Sequence, residues 1–291
     1  NVTHNHIEDH GSFAAYVAAK ARLLRGDESG GHAVLTPTDP GSRPLIAAAR
    51  AWGRTLWMAG VAPKGAPADA SPDDGYVWSD GDQVRVQPPR GIELAGPLEG
   101  DRLGSAATFE LPGPHNRQNL LSAVAAALAA GAIPDRLAAS WALFRPLAGR
   151  LELVAEAGGV RWYYDIQATT APAAEVGVRG IGTDGSRLVL IVGGEDKGMD
   201  FGGMAAAAVE HARLVLALPG TGTDAFLAAL GGRVEARRVD DVDAALQIAH
   251  ATCVPGDAVL LSPGCAFFQS RFLTPGPSFT TRVRRLLGAE S

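Results

Sequence analysis

The chain has 291 residues, a formal net charge of −5, 46% apolar residues and 20% charged residues. That length predicts two domains, and that composition predicts packed cores, not a disordered chain. The acidic balance gives no electrostatic case for nucleic acid, no apolar run is long enough to span a bilayer, and no signal-peptide pattern is present. The two cysteines, Cys253 and Cys265, have neither zinc spacing nor the number of a disulfide framework. They are expected to be small core residues of a protein in a reducing, cytoplasmic setting.

In chain order, Gly11 to Arg25 predicts a helix: Phe13, Tyr16, Val17, Ala19 and Leu23-Leu24 recur at helical spacing, Ser12 can cap it, and Lys20 on it looks buried. Val34-Leu35 predicts a short strand stopped by TPTDPG, followed by a helix from Leu45 to Trp52 and a strand from Leu56 to Val61. Tyr76–Trp78 and Val84–Val86 alternate around Asp80-Gly81, a hairpin signal. Pro114 to Gly131 reads as a long Ala-rich helix, and Pro146 and Gly149 break the pattern. The domain boundary is placed there, giving domains of residues 1–146 and 147–291.

A second hairpin is expected from Leu151–Val154 and Val160–Tyr164 around Gly158-Gly159. Strands Leu188–Val192, Leu214–Leu218, Val234–Val239 and Ala258–Leu261 then alternate with helices Gly203–Ala212, Asp224–Leu230 and Val242–Ala251. Apolar strands alternating with helices imply an α/β class with a mostly parallel sheet covered on both faces. Ligands of such sheets bind beyond the carboxyl ends of the strands, which here carry Asp165, the Gly193–Lys197 loop and Ser262.

Four features could carry chemistry. His4, His6 and His10 with Asp9 resemble a two-metal hydrolase loop with one residue too many, or they form a polar loop before a helix. Gly220, Gly222 and Ala225 fit a dinucleotide-binding turn, with Asp240 or Asp241 near the offset of a ribose-binding acid. Asn116 and Asn119 share one face at a helix start, where they can read a purine edge or ribose, or Asn116 simply caps. Arg150, Asp165, Thr169, Lys197 and Ser262 are singly unremarkable, but on one sheet edge they could line a nucleotide cleft.

Five segments resemble, in order, those of the Mur ligases of peptidoglycan synthesis: NVTHNHIEDHGSFAAYVAAK, GPHNRQNLLSAVAAALAAG, RLELVAEAGGVRWYYDIQATT, LVLIVGGEDKGMDF and PGDAVLLSPGCAFF. The likeness is strongest to the glutamate-adding members. It implies part of the central ATPase domain followed by a Rossmann-like glutamate-binding domain. It also implies a cytoplasmic enzyme of cell-wall synthesis that uses ATP and Mg2+ to join UDP-N-acetylmuramoyl-L-alanine and glutamate.

The resemblance assigns roles by position. Lys20 matches a carbamylated lysine that holds magnesium, and His6 the histidine near that metal. Asn116 and Asn119 match the helix facing the ATP base, and Arg150 and Asp165 the pair that reaches the nucleotide. Thr169, Lys197 and Ser262 fall in the glutamate loops. The sequence departs from the pattern at Asn5, Gly149, Gln167, Thr170 and Phe267, which leaves the stereochemistry of the amino acid open. No G-x-x-x-x-G-K-(S/T) phosphate loop occurs in these residues. The expectation is therefore a chain lacking an N-terminal part of the same enzyme and inactive alone.

Overall fold

Leu188 to Val192 is apolar at every position because the strand it forms is covered on both faces, with Leu188, Leu190 and Val192 in one core and Val189 and Ile191 in the other. The computed structural model describes residues 2, 10–25, 31–65, 68, 70–109, 111, 113–145, 147–182, 185, 187–266, 268–273 and 276–288. They form two compact units, residues 1–111 with 116–144 and residues 112–115 with 145–291.

The first unit holds a five-stranded sheet ordered β1-β2-β3-β4-β5, with β1 His32–Leu35, β2 Thr55–Ala59, β3 Gly75–Asp80, β4 Gln83–Gln87 and β5 Arg102–Ser105. The first three strands are parallel and the last two antiparallel. The hairpin expected around Asp80-Gly81 is β3–β4, with Gly81 at φ 58°. Helices α1 (Phe13–Arg25) and α2 (Arg43–Ala51) cover one face, where Leu45, Ile46 and Ala49 meet Leu56, Met58 and Tyr76. Helices α3 (Pro114–Ala129) and α4 (Pro134–Ser140) cover the other, where Leu121, Val124 and Leu128 meet Trp57, Val77 and Trp141.

Local chemistry sets the ends of these elements. The Ser12 hydroxyl accepts from Ala15 N at 3.1 Å and starts α1. Arg54 closes its other end, donating to the carbonyls of Leu24 at 2.8 Å and Arg25 at 2.5 Å. In the TPTDPG turn, the buried Asp39 carboxylate accepts from Gly41 N (3.1 Å), the Ser42 hydroxyl (2.8 Å) and Val2 N. Lys20 departs from its expected burial: it is exposed, its ammonium 5.3 Å from the centre of the Tyr16 ring. Phe13, Tyr16, Val17, Ala21 and Leu24 of α1 pack on the core only in part, no residue of the helix is buried, and Lys20 on the same face keeps its ammonium in solvent.

The second unit holds a six-stranded sheet ordered β10-β9-β8-β11-β7-β6. The strands are β6 Glu152–Ala157, β7 Val160–Tyr164, β8 Leu188–Val192, β9 Ala212–Ala217, β10 Ala236–Arg238 and β11 Ala258–Leu261. All pairings are parallel except β6 with β7, the hairpin expected around Gly158-Gly159. Helices α5 (Ala171–Gly182), α6 (Gly202–His211) and α7 (Thr221–Leu230) step the chain in one direction and lie on one face. Helix α8 (Val242–Thr252) brings it back between β8 and β7, on the other face, joined there by α9 (Phe279–Leu286). Right-handed crossovers require that a reversal of direction change the face. Truncating a residue such as Leu190, which is 0% exposed between these layers, would cost roughly 2–5 kcal/mol.

Two helices of the second unit are not among the elements expected from the sequence. Helix α5 contains Pro172 and the buried glycines Gly177, Gly180 and Gly182, which read as helix breakers. Helix α9 is short and held by its Ser278 cap and by Phe279 and Val283 in the core.

Candidate functional site

Chain reversal in the second sheet creates the site. After β7 and β8 the chain leaves toward the α5–α6 face, whereas after β11 it leaves toward Phe268, Leu273 and Phe279 on the other. Neighbouring strands whose exits diverge open a crevice at their carboxyl ends. Asp165 ends β7, Ser262 ends β11, and Gly193-Gly194 ends β8.

Asp165 is 6% exposed and receives one donor on each carboxylate oxygen. Its Oδ2 accepts from the Ser262 hydroxyl at 2.9 Å and its Oδ1 from Leu151 N at 3.1 Å. Burial pushes its carboxyl up to about 6, while these two donors and the nearby Arg150 guanidinium pull the other way. Leu151 reaches its position with φ 48°, the one described non-glycine residue at positive φ. Such strain persists only where the surroundings over-determine it, and it concentrates at functional sites. The turn is fixed by Glu152, which accepts from Gly149 N at 2.8 Å, and by Gln167 N donating to Gly149 O at 3.1 Å. Arg150 stands exposed at its tip.

The remaining expected residues divide between the two units. Thr169 is exposed on the loop after β7, which Gly264 N ties to the β11 loop through Ala168 O at 2.9 Å. Lys197 is exposed on the loop after β8. That loop is anchored by Glu195, which accepts from the Thr221 hydroxyl at 2.7 Å and from Thr221 N and is paired with Arg271. Ser262, expected to meet the amino acid, is buried with its hydroxyl given to Asp165. Asn116 and Asn119 belong to the first unit, at the start of α3, with Asn119 Nδ2 3.4 Å from Asn116 Oδ1. Lys20 lies there too, on α1; His6 falls outside the described residues.

Sequence reasoning missed three groups. Gln118, between the two asparagines, donates through Nε2 to Ala59 O (3.1 Å) and the Thr36 and Ser122 hydroxyls (3.2 and 3.3 Å), tying α3 to the carboxyl ends of β1 and β2. The pairing of Glu195 with Arg271 and the strain at Leu151 were also not anticipated, although Glu195 lies in the expected strand-end loop. A signal for Gln118 existed, an amide one helical turn from Ser122, but nothing in sequence places Thr36 opposite it.

The dinucleotide reading of Gly220 to Ala225 is corrected. The N-terminus of α7 is filled by the chain's own Glu195 carboxylate, so no phosphate is needed there. Its glycines serve close packing: a Cβ at Gly220 would strike Gly194 O, and one at Gly222 would lie 2.7 Å from Cys265 Sγ. Asp241 caps α8, accepting from Ala244 N at 2.7 Å. Of the three-histidine cage, only His10 is described, its ring 5.2 Å from that of Tyr16. Among the described residues, no cluster of three or more His, Cys, Asp or Glu could hold a metal, and no helix is long and apolar enough to cross a membrane. Both cysteines are free, and burial pushes Cys253 up to about 11 and Cys265 to about 12.

Comparison with known proteins agrees with this architecture. Residues 1–127 match the Mur ligase middle domain, and residues 149–265 match the Mur ligase glutamate ligase domain. A UDP-N-acetylmuramoylalanine–D-glutamate ligase of Alcanivorax borkumensis is 34% identical over 98% of the chain, and one of Pelotomaculum thermopropionicum is 34% identical over 91%. The chain spans only 59% and 54% of the length of these two relatives. A crystal structure of MurF from Acinetobacter baumannii shares the fold with a TM-score of 0.65 and 16% identity, over 99% of this chain and 58% of that one. With a middle-domain and a glutamate-ligase-domain match in that order along it, the chain belongs to the Mur ligase family.

Proposed function

We propose that the chain forms part of a cytoplasmic, ATP-dependent ligase of peptidoglycan synthesis that joins glutamate to UDP-N-acetylmuramoyl-L-alanine. The observation that carries this reading is the buried Asp165 carboxylate, held by two donors at the chain-reversal crevice and flanked by Arg150, in a chain whose relatives bear that activity in their names. Two free cysteines, Cys265 buried and Cys253 half-buried, suit a reducing compartment.

In this reading the muramoyl-alanine carboxylate attacks the γ-phosphate of ATP, the bond from that phosphorus to the bridging oxygen breaks and ADP leaves, and glutamate's amine attacks the resulting acyl-phosphate, losing its proton as phosphate departs and the amide forms. Asp165 accepts from the ribose hydroxyls and Arg150 meets the phosphates. Asn116 and Asn119 read the adenine edge. Lys197 pairs with the side-chain carboxylate of glutamate, and Thr169 serves the same amino acid. Lys20 is exposed, so carbon dioxide can reach its amine, and the carbamate so formed offers the hard anionic oxygens magnesium takes. His6 would stand near that ion. Bound magnesium would neutralise charge on the transferring phosphoryl group. The 291 residues hold no G-x-x-x-x-G-K-(S/T) phosphate-loop motif.

The test is an NMR titration of the chain with ADP and, separately, with NAD. Shifts at Asn116, Asn119, Arg150 and Asp165 with ADP are expected. Shifts confined to Gly220–Ala225 with either nucleotide would overturn the assignment. A ligation assay with D- and L-glutamate, in the full-length protein, then reads the configuration.

A further inference from the structure

Ser262 keeps none of its surface exposed, whereas Asp165 beside it keeps 6%. Of the two residues, only Asp165 offers any surface to a ligand arriving there. The single hydroxyl proton of Ser262 is directed at Asp165 Oδ2, and Leu151 N–H is directed at Oδ1. Each carboxylate oxygen receives one fixed donor and retains a lone-pair site for one more. Two vacant sites on one carboxylate match two adjacent hydroxyl groups, the pattern of a ribose 2′,3′-diol. Helix α5 comes close on the third side only because residue 177 is glycine: a Cβ there would stand 2.8 Å from Asp165 Oδ2 and 3.5 Å from Ser262 Oγ.

We propose that Ser262 is a positioning residue for Asp165 and not a ligand of the amino acid. With the αL turn at Leu151 and the gap at Gly177, it aims the carboxylate at the ribose diol of the nucleotide. The proposal rests on the nucleotide role of Asp165 given above, and it removes Ser262 from the glutamate pocket. The physical logic is that a carboxylate withdrawn from water needs fixed donors both to hold one rotamer and to stay ionised. Ser262 N–H is itself bonded to Ile191 O at 3.1 Å, so the donor is locked to the sheet and not to a mobile loop.

Calorimetric titration of the chain with ADP and with 2′,3′-dideoxyADP separates the possibilities. The unsubstituted chain is expected to bind ADP about tenfold more tightly than the dideoxy nucleotide, the usual worth of a hydrogen bond to a charged group. Ser262→Ala and, independently, Gly177→Ala are expected to bring the ratio to within about twofold. Both are to be checked for an intact fold by near-ultraviolet circular dichroism; with two variants on different elements, loss of fold in one leaves the other to decide. In the full-length protein, Ser262→Ala should raise the KM for ATP and leave the KM for glutamate unchanged. A tenfold ratio that survives in both variants, or a raised glutamate KM, overturns the positioning role. Equal affinity of the unsubstituted chain for the two nucleotides overturns instead the ribose role of Asp165.

Discussion

The surroundings of Asp165 and of Lys20, the two groups given chemical roles in the proposed function, differ in kind. Asp165 is buried, doubly bonded and flanked by a strained turn, so its geometry exists before any ligand arrives. Lys20 is exposed on a helix without a single buried residue and touches the Tyr16 ring. The first is a preorganised group; the second, in the proposed reading, would become a ligand only after carbamylation. A buried site is thus legible from its hydrogen bonds, whereas a modified lysine is legible only from its reactivity.

Breaking each side of this contrast should give effects of different size and kind. The largest is expected for Lys20→Ala in the full-length protein: a loss of activity of roughly 10³-fold, on the scale of removing one electrostatic stabiliser. Bicarbonate or a short carboxylate should restore part of it, and stability should change by no more than about 0.5 kcal/mol because the residue is exposed. A loss of activity with no rescue by any carboxylate would remove the carbamate role.

Next, Asp165→Asn should weaken ADP binding by about tenfold while stabilising the fold near pH 7.5 by about 1–2 kcal/mol. A carboxyl raised from 3.8 to about 6 binds more protons folded than unfolded between those values. Stability therefore falls as pH rises through that window, and the loss is complete above it. Urea denaturation at pH 4 and pH 7.5 measures this: the gain from the substitution should be present at pH 7.5 and nearly absent at pH 4. An equal gain at both pH values would contradict the raised pKa.

Smaller effects test the supports of each region. Gln118→Leu should destabilise the first unit by about 1–2 kcal/mol, since it leaves Thr36 and Ala59 O without their donor, as read by thermal melting. Glu195→Gln should cost about 1 kcal/mol through loss of the charge at the α7 N-terminus and of the Arg271 pair. It should also raise the KM for glutamate a few-fold, because the same loop carries Lys197. An unchanged glutamate KM would detach that loop from the amino acid.

Much of the fold is legible without coordinates. The alternation of Leu188–Val192, Ala258–Leu261 and their intervening helices determines a parallel sheet covered on both faces, because only burial on both sides tolerates a continuous apolar strand. The turn residues Gly158-Gly159 and Asp80-Gly81 determine two hairpins. Five ordered segments also carry the family resemblance. Helix α5 escapes such reading: a glycine scores as a breaker by local propensity, yet Gly177 and Gly182 are needed where α5 meets Asp165 and His211. Likewise the exposure of Lys20, the burial of Ser262, the occupation of the α7 N-terminus by Glu195 and the strain at Leu151 were decided only in three dimensions. Each depends on which distant residue stands opposite, Ser262 being 97 positions from Asp165, and local pattern holds no information about such partners.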